Sequence, residues 1–377
     1  MRVLHYVDAE SISWAVPYIE HIKSLEALGV ENILLCRSNG ELERLATENN
    51  IKTFTFKPLV SNLPLLSHNF VKVVKNISPD IIHTRLSSAA GIAGFWKNFH
   101  HVPVISTFDK PAKSKYYSHS NFCISCAEWL KNYMVKVQKM NAEKISVIHN
   151  PVNSQRFSRD EEARKEFRKI LGLSENDILF SGIGIYVYRK GFDVLIKAFS
   201  RVKNLYNGEK NIHLALIGGE VGEKNMRESY LKLAEELNIK IIMPEKFVKD
   251  VRKWLWASDI LVMPSREEGF SIALLEGLAA GLPVIVSDIE PFTEIISEKQ
   301  NNGLISKKDD YESFAASMLK MLNARDEGRK IFVKNSLEMI KKNFTVEAAA
   351  EKTFEIYYNY DLKRKKGVRK LCQNYSD

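Results

Sequence analysis

The segment REEGFSIALLE, residues 266–276, sets two acids, Glu268 and Glu276, on either side of seven intervening residues. Between them stand Gly269, Phe270 and Ser271, followed by an apolar run with helical spacing. In one reading, Glu267 and Glu268 complement the positive end of a helix and Glu276 faces water. In the other, a helix starting near Ser271 offers the amides of Phe270, Ser271 and Ile272 to an anion. Gly269 then removes the side chain that would obstruct a phosphate. Glu276 stands about 7 Å further along the axis, at about 1.5 Å per residue. From there it accepts hydrogen bonds from ribose hydroxyls without meeting the phosphates, and Glu268 does the same for a sugar on the other side.

Other residues fit the same chemistry. GIGIYVYRKG delivers Arg189, Lys190 and Gly191 at a strand-to-helix turn. It is either a glycine turn with surface cations or a cationic clamp on a diphosphate. IHLALIGG ends in Gly218-Gly219, which lets a ligand approach the backbone closely, and DILVMPS ends at Pro264-Ser265. The ligand implied is a sugar nucleotide. In the first half, His83 in DIIHTR is expected at a strand end, as either a binding or a structural histidine. STFDKP places Asp109 in a similar position, and KPAKSKYYSH brings Lys110, Lys113 and Lys115 beside Tyr116 and Tyr117. That loop is either solvated or touches a phosphorylated or lipid-linked acceptor.

These residues need a scaffold, and the chain supplies strands alternating with amphipathic helices. Expected strands are RVLHYVD, NILLC, KTFTF, DIIHTR, VPVISTF, FCISC and ISVIHN, then DILFSGIG, IHLALIG, IKIIMPE, DILVMPS, LPVIVSD and NGLIS. Helices are expected over 16–28, 128–137, 192–202, 226–237 and 345–360. Near-continuous apolar strands joined by helices make parallel sheets covered on both faces. Two such series make an α/β protein of two Rossmann-like doubly wound domains, facing across a cleft where ligands of such folds bind. The Asn/Pro/Ser-rich HNPVNSQRF, residues 149–157, divides an acceptor domain over 1–150 from a nucleotide-sugar domain over 151–344. The helix at 345–360 is expected to return to the first domain, with a basic tail over 361–377.

Composition narrows the function. Of the 377 residues, 45% are hydrophobic and 27% charged, as in a soluble globular protein. The amino terminus MRVLHYVDAE reads as no signal peptide, and GFSIALLEGLAAGLPVIVSDI, with Glu276 inside it, as a buried helix and strand. Cys123 and Cys126 have C-x-x-C spacing, but they lie in a strand, where alternate side chains diverge, and no second Cys/His pair completes a metal set. The net charge of +9 leaves nucleic acid, an anionic membrane face and anionic small molecules open as partners. No recognition motif supports nucleic acid. KRKKGVRK, residues 363–370, is a solvated tail or a tether to anionic lipid.

The E-x7-E pattern within EGFSIALLEGLAAGLPVIVSD resembles the nucleotide-sugar motif of family-4 retaining glycosyltransferases of the GT-B fold. ISVIHNPVNSQRF, RKGFDVLIKAF, LALIGGE, ASDILVMPS, EPFTEIIS and NNGLIS follow in that family's order, over roughly residues 140–310. The resemblance implies transfer from a nucleoside-diphosphate sugar, a UDP-sugar first among donors, with retention of configuration and no metal or other cofactor. It implies that Lys190, helped by Arg189, holds the diphosphate and that the amides of Phe270, Ser271 and Ile272 bind phosphate. Glu276 would bind ribose, Glu268 the donor sugar, and the backbone near Lys246 and Phe247 the base, with Gly218, Ser265 and Gly269 lining the donor side.

This chain departs from the family at three places. The arginine common after the glycine of the second domain's first strand is replaced by Ile185, the amino-terminal Gly-Gly loop by DAESISWAVPY, and a T-F-H histidine by Asp109. Ser11 and Ser13 are the small polar stand-ins in that loop, on the acceptor side with His83 and Lys113. The expected chemistry is front-face transfer in which Lys190, Arg189 and the helix amides stabilise the leaving diphosphate. The implied setting is cytoplasmic, at the inner membrane face, in assembly of bacterial lipopolysaccharide, O-antigen or capsule. The alternative is a catalytically impaired relative that binds glycan or nucleotide as a partner subunit.

Overall fold

A computed structural model describes residues 1–10, 12, 14–61, 63–220, 225–324 and 326–373. Ser11 and Ser13 therefore lie outside the described residues. The chain divides into two compact units, one of Met1–Pro151 with Phe344–Asp377 and the other of Val152–Asn343.

In the first unit seven strands form one sheet: β1 (Arg2–Val7), β2 (Glu31–Cys36), β3 (Lys52–Thr55), β4 (Ile81–Arg85), β5 (Val104–Phe108), β6 (Phe122–Ser125) and β7 (Ile145–Val147). Their order is β3-β2-β1-β4-β5-β6-β7, and every pairing is parallel. The second unit has β8 (Ile178–Ile185), β9 (Ile212–Gly219), β10 (Ile260–Met263), β11 (Val284–Ser287) and β12 (Leu304–Ser306). These are ordered β12-β11-β10-β8-β9, again all parallel. Strands such as β4, β5, β10 and β11 are buried along their whole length, as sheets covered on both faces require. In each unit the strand order reverses once, between β1 and β4 and between β8 and β10. Such switch points open a crevice at the carboxyl ends of the strands.

Twelve of the thirteen expected strands form. The exception is IKIIMPE, which is reduced to a single bridge between Ala215 and Ile242. Pro244 has no amide to donate to a ladder, and its carbonyl accepts from Arg227 at 2.7 Å instead. The last helix runs Val346–Gln373, so residues 361–373 continue it and do not form a separate tail. Lys, Arg and Leu all favour helix, and Gly367 alone does not interrupt it. Its first turns return to the first unit, where Ala349, Ala350 and Tyr357 are buried with Val3, Leu25, Ile81 and Ile105.

Beneath that helix three histidines are sealed in the core. His5 Nε2 donates to Asn32 Oδ1 at 2.8 Å, and His83 bonds Tyr357 and Thr107 through its two ring nitrogens at 2.5 and 2.7 Å. Burial pushes His5 down to about 4 and His21 down to about 3, and His83 well below the usual histidine range. His83 has no ring nitrogen left for an acceptor. Of its two readings, binding and structural, the contacts fit the structural one, because core packing consumes both nitrogens.

The unfolded chain takes up a proton on each of these residues near pH 6.5, and the folded chain does not. Stability is therefore full above about pH 6.5 and is lost as pH falls, by about 1–2 kcal/mol per histidine by about pH 5. Urea unfolding should show the loss, and His21→Phe should reduce it. Equal midpoints for the wild type at both pH values would exclude the linkage.

Candidate functional site

The second unit's switch point brings together residues far apart in sequence. After β8 the chain makes a short turn at Tyr188–Lys190, and Gly191, at φ 67°, caps the following helix Phe192–Leu205. A Cβ at Gly191 would lie 2.1 Å from the Pro264 carbonyl oxygen, so only glycine lets this turn meet the end of β10. The Arg266 amide donates to the Arg189 carbonyl at 2.7 Å, joining the two loops directly.

Arg266 also locks them through its side chain. It reaches Asp193 with a two-pronged pair at 2.8 and 2.7 Å, Asp309 at 2.5 Å and the Tyr188 carbonyl at 2.6 Å. Its guanidinium lies 3.9 Å from the centre of the Tyr188 ring. The bonded Asp193 carboxylate raises its pKa further above the ordinary arginine value. This fork is the kind of geometry that arginine makes and lysine does not.

Within that frame Glu268 gathers the cations. Its Oε1 accepts from Lys190 Nζ at 2.5 Å and from Ser265 Oγ at 2.9 Å, while Oε2 faces Arg189 at 3.3 Å. The Lys190 and Glu268 side chains are only 9% and 7% exposed, whereas Arg189 is 45% exposed. Lys190 reaches this position by lying across Gly184, where a Cβ would come within 2.8 Å of its Cε. Glu268 thus belongs to the cationic cluster, a place that neither reading of the acid motif gave it. This set carries two positive charges and one negative, and the adjoining Arg266 is engaged by Asp193 and Asp309.

Ser271 caps the helix Ile272–Ala279, its hydroxyl accepting from the Leu274 amide at 3.3 Å. The helix sits tightly on β10, because a Cβ at Gly277 would fall 2.2 Å from a Leu261 methyl. Phe270 is buried, and Glu276 is half-buried on the same helix. Gly269 lies between Glu268 and this helix start. At the end of β9 the Val248 amide donates to the Gly218 carbonyl at 2.9 Å, which brings Phe247, 49% exposed, beside that strand end. The glycines there serve the chain itself. A Cβ at Gly218 would lie 1.9 Å from the Gly184 oxygen, and one at Gly219 2.6 Å from Phe247 Cα. Gly218 thus allows strand closure, a need of the chain itself that accounts for glycine there.

In the first unit, Asp109 stands at the end of β5 and pairs with Arg85 at the end of β4, at 2.6 Å. Asn150 joins them, accepting from Arg85 at 2.6 Å, and the Arg85 guanidinium lies 4.3 Å from the Trp14 ring centre. Among the described residues, the buried Asp109 Oδ2 has no hydrogen-bond partner. Lys113 is exposed before the turn Ser114–Tyr116. Burial pushes the Cys123 thiol up to about 12, so it is not a ready thiolate.

The sequence reading missed Arg266, Asp193 and Arg85. Arg266 adjoins the acid motif and Arg85 ends a strand, but no spacing rule links either to its partner across 73 or 24 residues.

Two parallel, doubly wound α/β units of seven and five strands are the GT-B architecture. The family model described as glycosyl transferases group 1 matches residues 163–339, and that described as Glycosyltransferase Family 4 matches residues 18–156. The chain belongs to the family-4 glycosyltransferases of the GT-B fold, and its activity is glycosyl transfer. An uncharacterized glycosyltransferase of Methanocaldococcus jannaschii is 27% identical over 240 residues, 62% of this chain and 59% of its own length. The UDP-Gal:alpha-D-GlcNAc-diphosphoundecaprenol alpha-1,3-galactosyltransferase of Escherichia coli is 24% identical over 347 residues, 86% of this chain and 88% of its own. Among solved structures, Anabaena HepE in complex with UDP superimposes with a TM-score of 0.81 at 15% identity, covering 95% of this chain and 100% of that one.

Replacing Arg266 by lysine keeps the charge and loses the fork onto Asp193. Thermal unfolding should register a loss of about 2 kcal/mol. An unchanged melting temperature would mean that the fork does not hold the two loops together.

Proposed function

We propose that this chain transfers a sugar from a nucleoside-diphosphate sugar, with retention of configuration, to a glycan or lipid-linked acceptor in bacterial surface-glycan assembly. The observation that carries the proposal is the Lys190–Glu268–Arg189 cluster at the β8/β10 switch point, beside a serine-capped helix start. Phosphate is the ligand class that such a cluster and helix start suit together.

The leaving diphosphate gains charge as the anomeric bond breaks, and groups fixed in advance stabilise that charge without reorganising. Lys190 is fixed in this way, because Gly184 and Glu268 leave it one position. Arg189, more exposed, closes on the diphosphate from the solvent side. The amides of Phe270, Ser271 and Ile272 complete the phosphate site. Glu276 takes the ribose hydroxyls, and Glu268 orients the cations and meets the donor sugar. Phe247 and its neighbours border the base. These groups neutralise the diphosphate without a metal, and the leaving phosphate takes the acceptor's proton in front-face attack. In the first unit, Asp109, held by Arg85, accepts a hydrogen bond from a sugar hydroxyl, and Lys113 lies on the acceptor side. The Escherichia coli relative's printed substrate, a sugar on diphosphoundecaprenol, supports a lipid-linked acceptor and a UDP-sugar donor. On this reading the work is done on the cytoplasmic face of an anionic membrane.

Nucleotide release from UDP-, GDP-, ADP- and CMP-sugars tests this reading, with Glu276→Ala and Lys190→Ala beside the wild type. The wild type should slowly cleave one donor, a UDP-sugar first, equally well with and without a chelator. Lys190→Ala should lower the rate about 100-fold or more, and Glu276→Ala should weaken donor binding. A folded wild type that binds no donor would replace this reading with that of a non-catalytic partner subunit.

A further inference from the structure

The first unit carries a patch of exposed apolar side chains that neither its core nor the site residues use. After β3, Leu59 is 77% exposed, Leu63 54% and Leu65 65%, with Val60 and Leu66 also open to solvent. Phe95 and Phe99, 42% and 59% exposed, belong to the helices Ser87–Phe95 and Lys97–His100. Contacts join these segments into one surface. Trp96 Nε1 donates to the Pro64 carbonyl at 2.8 Å, and the Trp96 ring meets Phe95 and Phe99 edge-on at 5.3 and 5.2 Å. A Cβ on Gly91 would stand 3.8 Å from the Pro64 ring and 3.5 Å from Tyr116, so the lysine loop borders the patch.

The leucines are held outward by bonded backbone. The Leu63 amide donates to Val60 and the Leu66 amide to Leu63, each at 3.1 Å, and Arg37 ties Ser61 at 2.7 Å. An ordered apolar patch with a polar rim marks a surface that something else covers.

Charge identifies the cover. Between residues 49 and 127 the sequence holds eight lysines and Arg85 against two acids, Asp80 and Asp109. Both acids are spent inside the unit, Asp80 on the Arg2 amide at 2.8 Å and Asp109 on Arg85 at 2.6 Å. Lys57 precedes the exposed leucines, Lys97 stands between the two phenylalanines, and Lys113 precedes and Lys115 lies within the turn Ser114–Tyr116. Leucine and phenylalanine tips surrounded by lysines complement acyl chains beneath anionic headgroups.

We propose that this face seats the chain on an anionic lipid bilayer. Leu59, Leu63, Leu65 and Phe99 enter the acyl boundary, and Lys57, Lys97, Lys113 and Lys115 lie among the headgroup phosphates. The proposal deepens the lipid-linked acceptor reading, on which it rests for its purpose. Its geometry is independent of the donor site and of the basic end of the last helix.

Co-sedimentation of the full chain with vesicles tests it, using phosphatidylcholine alone and phosphatidylcholine with phosphatidylglycerol. The wild type should partition onto the anionic vesicles and leave them as salt rises. Leu65→Asp combined with Phe99→Asp should lower the partition coefficient about 10- to 100-fold, with nucleotide release from the free donor unchanged. Unaltered vesicle binding by this variant would assign binding to the basic helix end and overturn the proposal. So would a wild type that ignores anionic vesicles, or one that forms a dimer in solution that the same variant dissolves. If donor cleavage is absent while vesicle binding follows the prediction, the donor reading fails and the membrane face stands.

Discussion

The second unit depends on one buried ion pair, Lys190 with Glu268. Two nearly enclosed charges are costly unless each is paired and bonded, and removing one partner leaves the other uncompensated at about 3–5 kcal/mol. Their pairing explains the neighbouring constraints. Gly184 gives the lysine stem its path, Gly191 lets the turn reach Pro264, and Ser265 donates a second hydrogen bond to the carboxylate oxygen that Lys190 bonds. Arg266 holds the two loops in register from outside. The arrangement places a fixed cation at the crevice of the sheet, where the fold already gathers strand ends.

The first unit solves a related problem differently. At its own strand ends, Arg85 and Asp109 also make a short, mostly buried pair, with Asn150 and the Trp14 face around it. One carboxylate oxygen there keeps no partner among the described residues. There the bond of His83 to Tyr357, with the His5 ring beside it, fastens the returning helix to the sheet. The helix thus ties the end of the chain to the unit that opens it.

Much of this was legible in the sequence. The parallel sheets followed from uninterrupted apolar strands, since a strand covered on both faces has no polar side to show. The start of the helix at Ser271 followed from a capping serine before an apolar run. IKIIMPE misled because its composition is that of a strand, while Pro244 and the competing Arg227 bond break the ladder. The strand-closing role of Gly218 was not legible, because a glycine that admits a ligand and one that admits a neighbouring carbonyl look alike in sequence. His83 was ambiguous for a similar reason, since its partner Tyr357 lies 274 residues away. Arg266 and Arg85 escaped notice because a salt bridge between distant loops leaves no periodic trace.

The central claim is that Glu268 and Lys190 act on the donor as one unit. A double-mutant cycle tests it directly, with Lys190→Ala, Glu268→Gln and both together, read as the rate of nucleotide release from the cleaved donor. The account predicts strong non-additivity, the double variant being little slower than Lys190→Ala alone. Losses that multiply independently would contradict it and make Glu268 a separate contact, unconnected to how the lysine is held.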